Sequence, residues 1–251
     1  MIIHGLASMN RAPSLFVDSG VDPLLAELPV PIQARHIGQV HTQRPRLQAF
    51  IREDFRQTHG AEVYSFHPNL LSFTASGAQR AVVGYRDPLQ SSLFAEQYLD
   101  RPAQEMAGEL LGSEIRRDQM VEVGNLALAD PGHARWVIAA STAFLAAAGY
   151  RWVLFTANQT LANAFQRLGL KPLALDSADP RRLPDHGASW GRYYAAGPRV
   201  YVGDIQAGCH KLLDVGRQRR PNLHALLHAS QRLGAQAGQT VFDREDLCAW
   251  A

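Results

Sequence analysis

The sequence predicts an α/β chain of the α+β kind: a mixed central sheet flanked by helices, with an N-terminal extension and a helical C-terminal tail. Three observations lead there. From residue 122 to residue 170 the order is strand, turn, helix, strand, helix, glycine, as expected where strands alternate with helical stretches. Two apolar runs, 70–75 and 81–86, flank Ser76-Gly77, which is a hairpin signal. After residue 206 the composition changes to Arg, Gln, Ala and Leu, good helix formers. The boundaries expected are 1–35 for the extension, 36–206 for the domain and 207–251 for the tail.

The extension holds Pro13, Pro23, Pro29 and Pro31 and little periodicity, with a short helix expected at 23–28. Behind Pro45, the apolar residues Leu47, Phe50, Ile51 and Phe55 fall at helical spacing and predict an amphipathic helix over 46–58. Residues 62–66 alternate and stop before Pro68, so they read as a strand. Residues 93–98 carry no strong local preference, and 102–111 read as helix. Residues 120–128 read as a strand with Gly124 inside it, which marks a bulge or a close backbone approach. Asp130-Pro131 has the form of a helix cap followed by proline at the first helical position. Gly149 and Gly169 are placed to end two successive helices. Residues 171–175 and 199–205 read as the last strands, with Trp190-Gly191-Arg192-Tyr193-Tyr194 between them.

Composition bounds function loosely. A net charge of +2 demands neither nucleic acid nor an anionic membrane. The positive charge is almost all arginine, since the only lysines are Lys171 and Lys211; arginine grips carboxylate and phosphate in a planar fork. Two cysteines make no disulfide framework, so a reducing, cytoplasmic setting is expected. Residues 136–155 are mostly apolar and as long as a membrane span. However, Gly149 and Arg151 interrupt them and the character changes from alanine-rich to β-branched, so a core helix and a core strand are expected. The ten histidines read as scattered, without metal-ligand spacing, so no metal site is expected. There is no nucleophile elbow, P-loop or dinucleotide turn, which sets aside serine hydrolysis, nucleotide hydrolysis and hydride transfer.

The stretch after the 152–157 run resembles the acyl-thioester-binding half of the GNAT acyltransferases. Many of these have Asn, then Tyr or Phe seven residues on, then Gly-Phe at eleven and twelve; here those places hold Asn158, Phe165, Gly169 and Leu170. The resemblance implies that two parallel strands part and a pantetheine arm enters between them. It also implies that Asn158 meets a pantetheine amide and that Phe165 faces the thiol. Beyond the general fold, about residues 40–208 resemble the thermostable hemolysin family. That likeness rests on residues 93–100, 122–127, 155–157, 167–170 and the Trp190-Gly191-Arg192-Tyr193-Tyr194 motif. The layout is also similar to the autoinducer synthases. The expected activity is transfer of an acyl group from acyl-CoA or acyl carrier protein to a small amine or amino-acid acceptor. No cofactor is expected to be permanently bound.

The chain departs from the GNAT pattern in ways that matter. Its phosphate loop is Ala129-Asp130-Pro131-Gly132-His133-Ala134, with alanine at the first position and an acid beside it. Backbone N–H groups of Gly132, His133 and Ala134 are expected to receive the phosphate. Phenylalanine at 165 cannot donate a proton, which leaves Tyr193 or Tyr194 to replace a tyrosine acid. Glu122, on the strand expected to line the cleft, is the candidate general base, with a structural ion pair to Arg86 or Arg116 as the alternative. Glu96 is the second acid. Leu126 to Leu128 are expected to offer a backbone N–H to the thioester carbonyl. Arg86, Tyr98 and Trp190 are expected on the acceptor side. The competing readings are a membrane-active cytolysin and an inactive GNAT-like binding module.

Overall fold

The computed structural model describes residues 32–219 and 221–248, so the helix expected at 23–28 lies outside the described residues. Seven strands form one sheet: β1 (Ile32–Ile37), β2 (Asn69–Ala75), β3 (Ala78–Arg86), β4 (Met120–Leu128), β5 (Trp152–Ala157), β6 (Leu173–Ser177) and β7 (Arg199–Asp204). Their order is β1-β2-β3-β4-β5-β7-β6. Every neighbouring pair is antiparallel except β4 and β5, which run parallel at the centre.

The strands alternate between two buried faces. Leu71, Phe73, Val83 and Val121 pack with α3 (Ala134–Ala147), α5 (Ile205–Arg219) and α6 (Pro221–Cys248). Leu70, Val82 and Ala127 pack with α1 (Arg44–His59), and Met120 and Leu154 pack with α2 (Ala103–Leu111). In α1 the buried side chains are Arg44, Leu47, Ile51 and Phe55, close to the periodicity expected. The hairpin turn is as expected: Ser76 and Gly77 both have positive φ, 51° and 76°, the backbone that a two-residue hairpin turn requires. The apolar stretch 136–155 divides into α3 and β5, and no helix among the described residues is long and apolar enough to cross a membrane.

Two expectations need correction. Strand β1 starts at Ile32, inside the segment set aside as an extension, and pairs with β2 from Ile32↔Ala75 to Ile37↔Leu70. As an edge strand with Gln33, Arg35 and half-buried neighbours, it lacks the apolar run that would have marked it. Residues 62–66, in contrast, are not a strand. They alternate because Ala61 and Val63 enter the core beside α1. Their backbone has no ladder partner; Glu62 N–H donates to the Ser189 carbonyl at 2.7 Å.

The tail packs as part of the fold. On α6, Gly234 and Gly238 lie against the backbone of α3. A Cβ at Gly234 would stand 2.1 Å from the Phe144 carbonyl oxygen, and one at Gly238 3.0 Å from that of Ala148. Absence of a side chain lets the two helix backbones approach this closely.

Candidate active site

Strands β4 and β5 pair from Met120↔Trp152 to Val123↔Phe155 and then part, although β4 continues to Leu128 and β5 to Ala157. The cause sits in β4. Its register with β3 passes from Val82↔Ala127 to Gly84↔Gly124, so β4 carries one extra residue. Asn125 takes up that bulge with φ of 48°, a left-handed backbone that asparagine tolerates better than most residues. The opening leads into a cavity of about 870 Å³ reaching the apolar side of α3 at Ile138 and Leu145. A smaller cavity of about 360 Å³ lies behind it and shares Thr142, Val153, Phe155, Phe165 and Ile205 with the first.

Glu122 is 3% exposed and lines the larger cavity. Its two carboxylate oxygens accept hydrogen bonds from Phe94 N–H at 2.7 Å and Ala95 N–H at 2.6 Å. Arg86 Nε stands 3.8 Å away. Burial pushes Glu122 up to about 7, against the pull of the two amides and Arg86. A carboxyl titrating there is partly ionised at neutral pH and can accept a proton.

The sequence reading missed His67. Its Nε2 lies 3.9 Å from Glu122 Oε2, is buried without a hydrogen-bond partner, and faces the same cavity. Burial, followed by the charge of Arg86, lowers it to about 3, so the ring is neutral. Its backbone is held on both sides. Arg44 Nη2 donates to the His67 carbonyl at 2.6 Å, and the His67 N–H donates to Asn125 Oδ1 at 2.8 Å. The bulged asparagine thus fixes both the cleft and the histidine beside it. Asp54 of α1 was missed too. It lines the cavity, takes a hydrogen bond from the Leu128 N–H, and is raised by burial to about 6.

The remaining expected residues divide. Tyr98, Trp190, Leu126, Leu128, Ala134, Asn158 and Phe165 line the cavity. Phe165 stacks on Phe155 with ring centroids 4.7 Å apart. Asn158 Oδ1 is engaged as the cap of α4 (Gln159–Arg167), accepting from Leu161 N–H at 3.0 Å. Glu96 does not line the cavity. It forms a two-pronged pair with Arg117 at 2.7 and 2.9 Å and caps α2 through Ala103 N–H. Burial raises Glu96, but Arg117 and the Ala103 and Leu93 amides outweigh that and leave it lowered. Its carboxylate is thus already engaged by Arg117 and the α2 amide, away from the cavity. Tyr194 is likewise set back from the cavity; its hydroxyl meets that of Tyr98 at 2.5 Å. Arg86 stays outside as well, with Nη1 on the Ser92 carbonyl.

The phosphate expectation also changes. Gly132 N–H is taken by Asp130 Oδ1 at 2.7 Å, His133 N–H by the Asp130 carbonyl, and Ala134 N–H by the Pro131 carbonyl. Neither Gly132 nor His133 lines the cavity. The turn's own acceptors, Asp130 and the Pro131 carbonyl, engage the amides that an anion would otherwise meet. The cations that do line the cavity are Arg135 and Arg167. Burial, then the charge of Arg167, lowers Arg135. Finally, one histidine pair escaped the sequence reading. His224 and His228 sit one turn apart on α6 with Nε2 atoms 3.0 Å apart. No group of three or more His, Cys, Asp or Glu suited to a metal occurs among the described residues.

A central parallel pair that splits at a bulge gives the chain a GNAT-like fold. The structure of FeeM, an N-acyl amino acid synthase from uncultured soil microbes, matches with a TM-score of 0.52 at 11% identity, covering 74% of this chain and 98% of that one. The acyl-homoserine lactone synthase BjaI, solved with SAM and isopentyl-CoA, gives 0.46 at 15% identity over 79% and 98% of the two chains. At such identities the likeness is one of fold. The thermostable hemolysin profile matches residues 37–209, and the chain belongs to that family. No curated protein sequence matches it.

Proposed function

We propose that the chain is an N-acyltransferase that takes its acyl group from a pantetheine thioester. The observation that carries this reading is the parting of β4 and β5 after Val123 and Phe155, directly beside Glu122. A pantetheine arm fits between the strands, where the edge of β4 has lost its ladder partner. Leu128 N–H is held by Asp54, so Leu126 is the residue assigned to polarise the thioester carbonyl. The acyl chain enters the cavity below α3. Arg135 and Arg167 both line the cavity, and their guanidinium groups take the phosphate role expected of the Gly132–Ala134 amides. This suits coenzyme A as donor; an acyl carrier protein remains the alternative.

In the reaction a neutral amine attacks the carbonyl, Glu122 takes its proton, the C–S bond breaks and the C–N bond forms. The same proton ends on the leaving thiolate, so the balance is amine plus thioester to amide plus thiol. Neutral His67, with Nε2 3.9 Å from Glu122, accepts a hydrogen bond from the amine and orients it without adding a competing charge. The test is mass spectrometry of products formed from a series of acyl-CoA esters and amines. Amide products lost on Leu126→Pro and weakened by Arg135→Gln are expected. Thioester binding with no acyl transfer to any amine would leave a binding module instead.

A further inference from the structure

The wall of the cavity opposite α3 and α4 is built from rings. Phe94, Tyr98, Trp190 and Tyr193 all line it. Their centroids form a connected cluster: Phe94 to Tyr98 6.0 Å, Phe94 to Trp190 5.7 Å, and Trp190 to Tyr193 5.5 Å. The cluster is tied to the buried acid, since Phe94 N–H itself donates to Glu122. A second polar atom, His67 Nε2, is buried there without a partner. The guanidinium groups lining the cavity, Arg135 and Arg167, stand on α3 and α4, on the other wall. Arg86 faces Glu122 and the Ser92 carbonyl from outside.

We infer that this wall is an acceptor subsite for an arylalkyl or alkyl ammonium lacking an α-carboxylate. The inference rests on the transferase reading above and names the acceptor class for it. Ring faces attract a cation and accommodate a planar body. One carboxylate and one neutral imidazole offer acceptors to an N–H-rich group. An α-carboxylate would instead bring a second negative charge beside Glu122, within a low-dielectric site where like charges repel strongly. The bound ammonium gives one proton to Glu122, which releases it to solvent, and the amine so freed then attacks the thioester. The net reaction is ammonium plus thioester to amide, thiol and one proton.

The experiment pairs each amine with its amino acid: tyramine with tyrosine, tryptamine with tryptophan, and phenethylamine with phenylalanine. The full chain and octanoyl-CoA are used, and amide is quantified by mass spectrometry. The amines are expected to exceed the amino acids by about tenfold or more in kcat/KM, equivalent to one pKd unit of discrimination. Trp190→Leu is expected to raise KM for the amine about tenfold and leave KM for octanoyl-CoA unchanged. Tyr193→Leu, which keeps the Trp190 ring against Phe55 of α1, serves as the second variant. Amino acids turned over as well as or better than the amines would overturn the inference, with Arg192, whose charge reaches His59 at the rim, as the group then reading the carboxylate. Unchanged amine KM in both folded variants would overturn it equally. Bound octanoyl-CoA with no transfer to either set would remove the transferase reading itself.

Discussion

Gly84 and Gly124 face each other across β3 and β4, and His67 lies over both. A Cβ on Gly84 would come within 2.9 Å of His67 Cβ, and one on Gly124 within 2.9 Å of His67 Nε2. The two glycines form a floor without side chains, and the imidazole rests there beside Glu122. Gly124 is therefore a close approach next to a bulge, with the bulge itself carried by Asn125.

That floor gives a first prediction. Gly124→Ala should displace the His67 ring and destabilise the fold by about 1–3 kcal/mol, the usual penalty for overpacking. Combined with His67→Ala, the penalty should largely vanish, because the atom that collides is gone. Urea unfolding of the two single variants and the double variant measures this. Additive penalties would mean that the ring does not sit where the glycine leaves room.

Glu122 gives the second. The rate should rise with pH through about 7, as the carboxyl ionises and becomes a base. Stability should move the other way. The folded pKa is raised from 4.5 to about 7, so the contribution is complete below the unfolded value and is lost as pH climbs through the folded one. Glu122→Gln does not titrate, so the stability of wild type minus variant should fall between those two values. The variant should also lose ~10²–10⁴-fold in rate. It is not a silent isostere, since its NH₂ must face the N–H of Phe94 or Ala95, which costs about 1–3 kcal/mol. A rate independent of pH from 5 to 9 at saturating amine, roughly the span over which neighbouring side chains titrate, would remove Glu122 as the base.

Phe165 lines both the large cavity and the small one. Phe165→Leu should enlarge the passage and shift the preferred acyl-CoA toward longer chains. A change of about tenfold in relative kcat/KM is the scale expected for one methylene in an apolar pocket. A competition assay with mixed acyl-CoA lengths reads it directly. An unchanged chain-length profile would place the acyl group elsewhere.

Gly234→Ala should be far more damaging than Gly238→Ala. The first puts a methyl group 2.1 Å from a carbonyl oxygen on another helix, the second 3.0 Å. Backbone cannot retreat as a flexible side chain can, so a loss above about 3 kcal/mol is expected for Gly234→Ala, beyond ordinary overpacking. Comparison of thermal midpoints checks the order, and equal midpoints would show that α6 does not need this contact.

The parts of this molecule that were readable from sequence share a property: their cause is local. Ser76-Gly77 names its own turn, Asp130-Pro131 caps its own 3-10 turn, and Leu47, Ile51 and Phe55 mark their own helix face. Glu122 was accessible because it lies on the strand expected to line a cleft, and it does line the cavity. His67 was not, since nothing near it in sequence reveals the glycine pair that admits it or the Asn125 that holds it 58 residues away. Glu96 misled for the same reason in reverse. Its partner Arg117 is 21 residues on, so an acid in an apolar context looked available when it was already paired. The Gly132 and His133 amides were misjudged at shorter range, because the capping aspartate already takes both donors.

Helix α3 belongs to two structures at once. Ile138 and Leu145 line the large cavity on one side, while Phe144 and Ala148 receive the glycines of α6 on the other. The C-terminal region is thus the outer brace of a wall whose inner surface lines that cavity. Shortening the chain before α6 would not yield a trimmed catalytic domain; it would leave α3 supported from one side only. The cavity would then change shape; on the acyltransferase function proposed above, chain-length preference is expected to shift with it, through residues that never meet the acyl group.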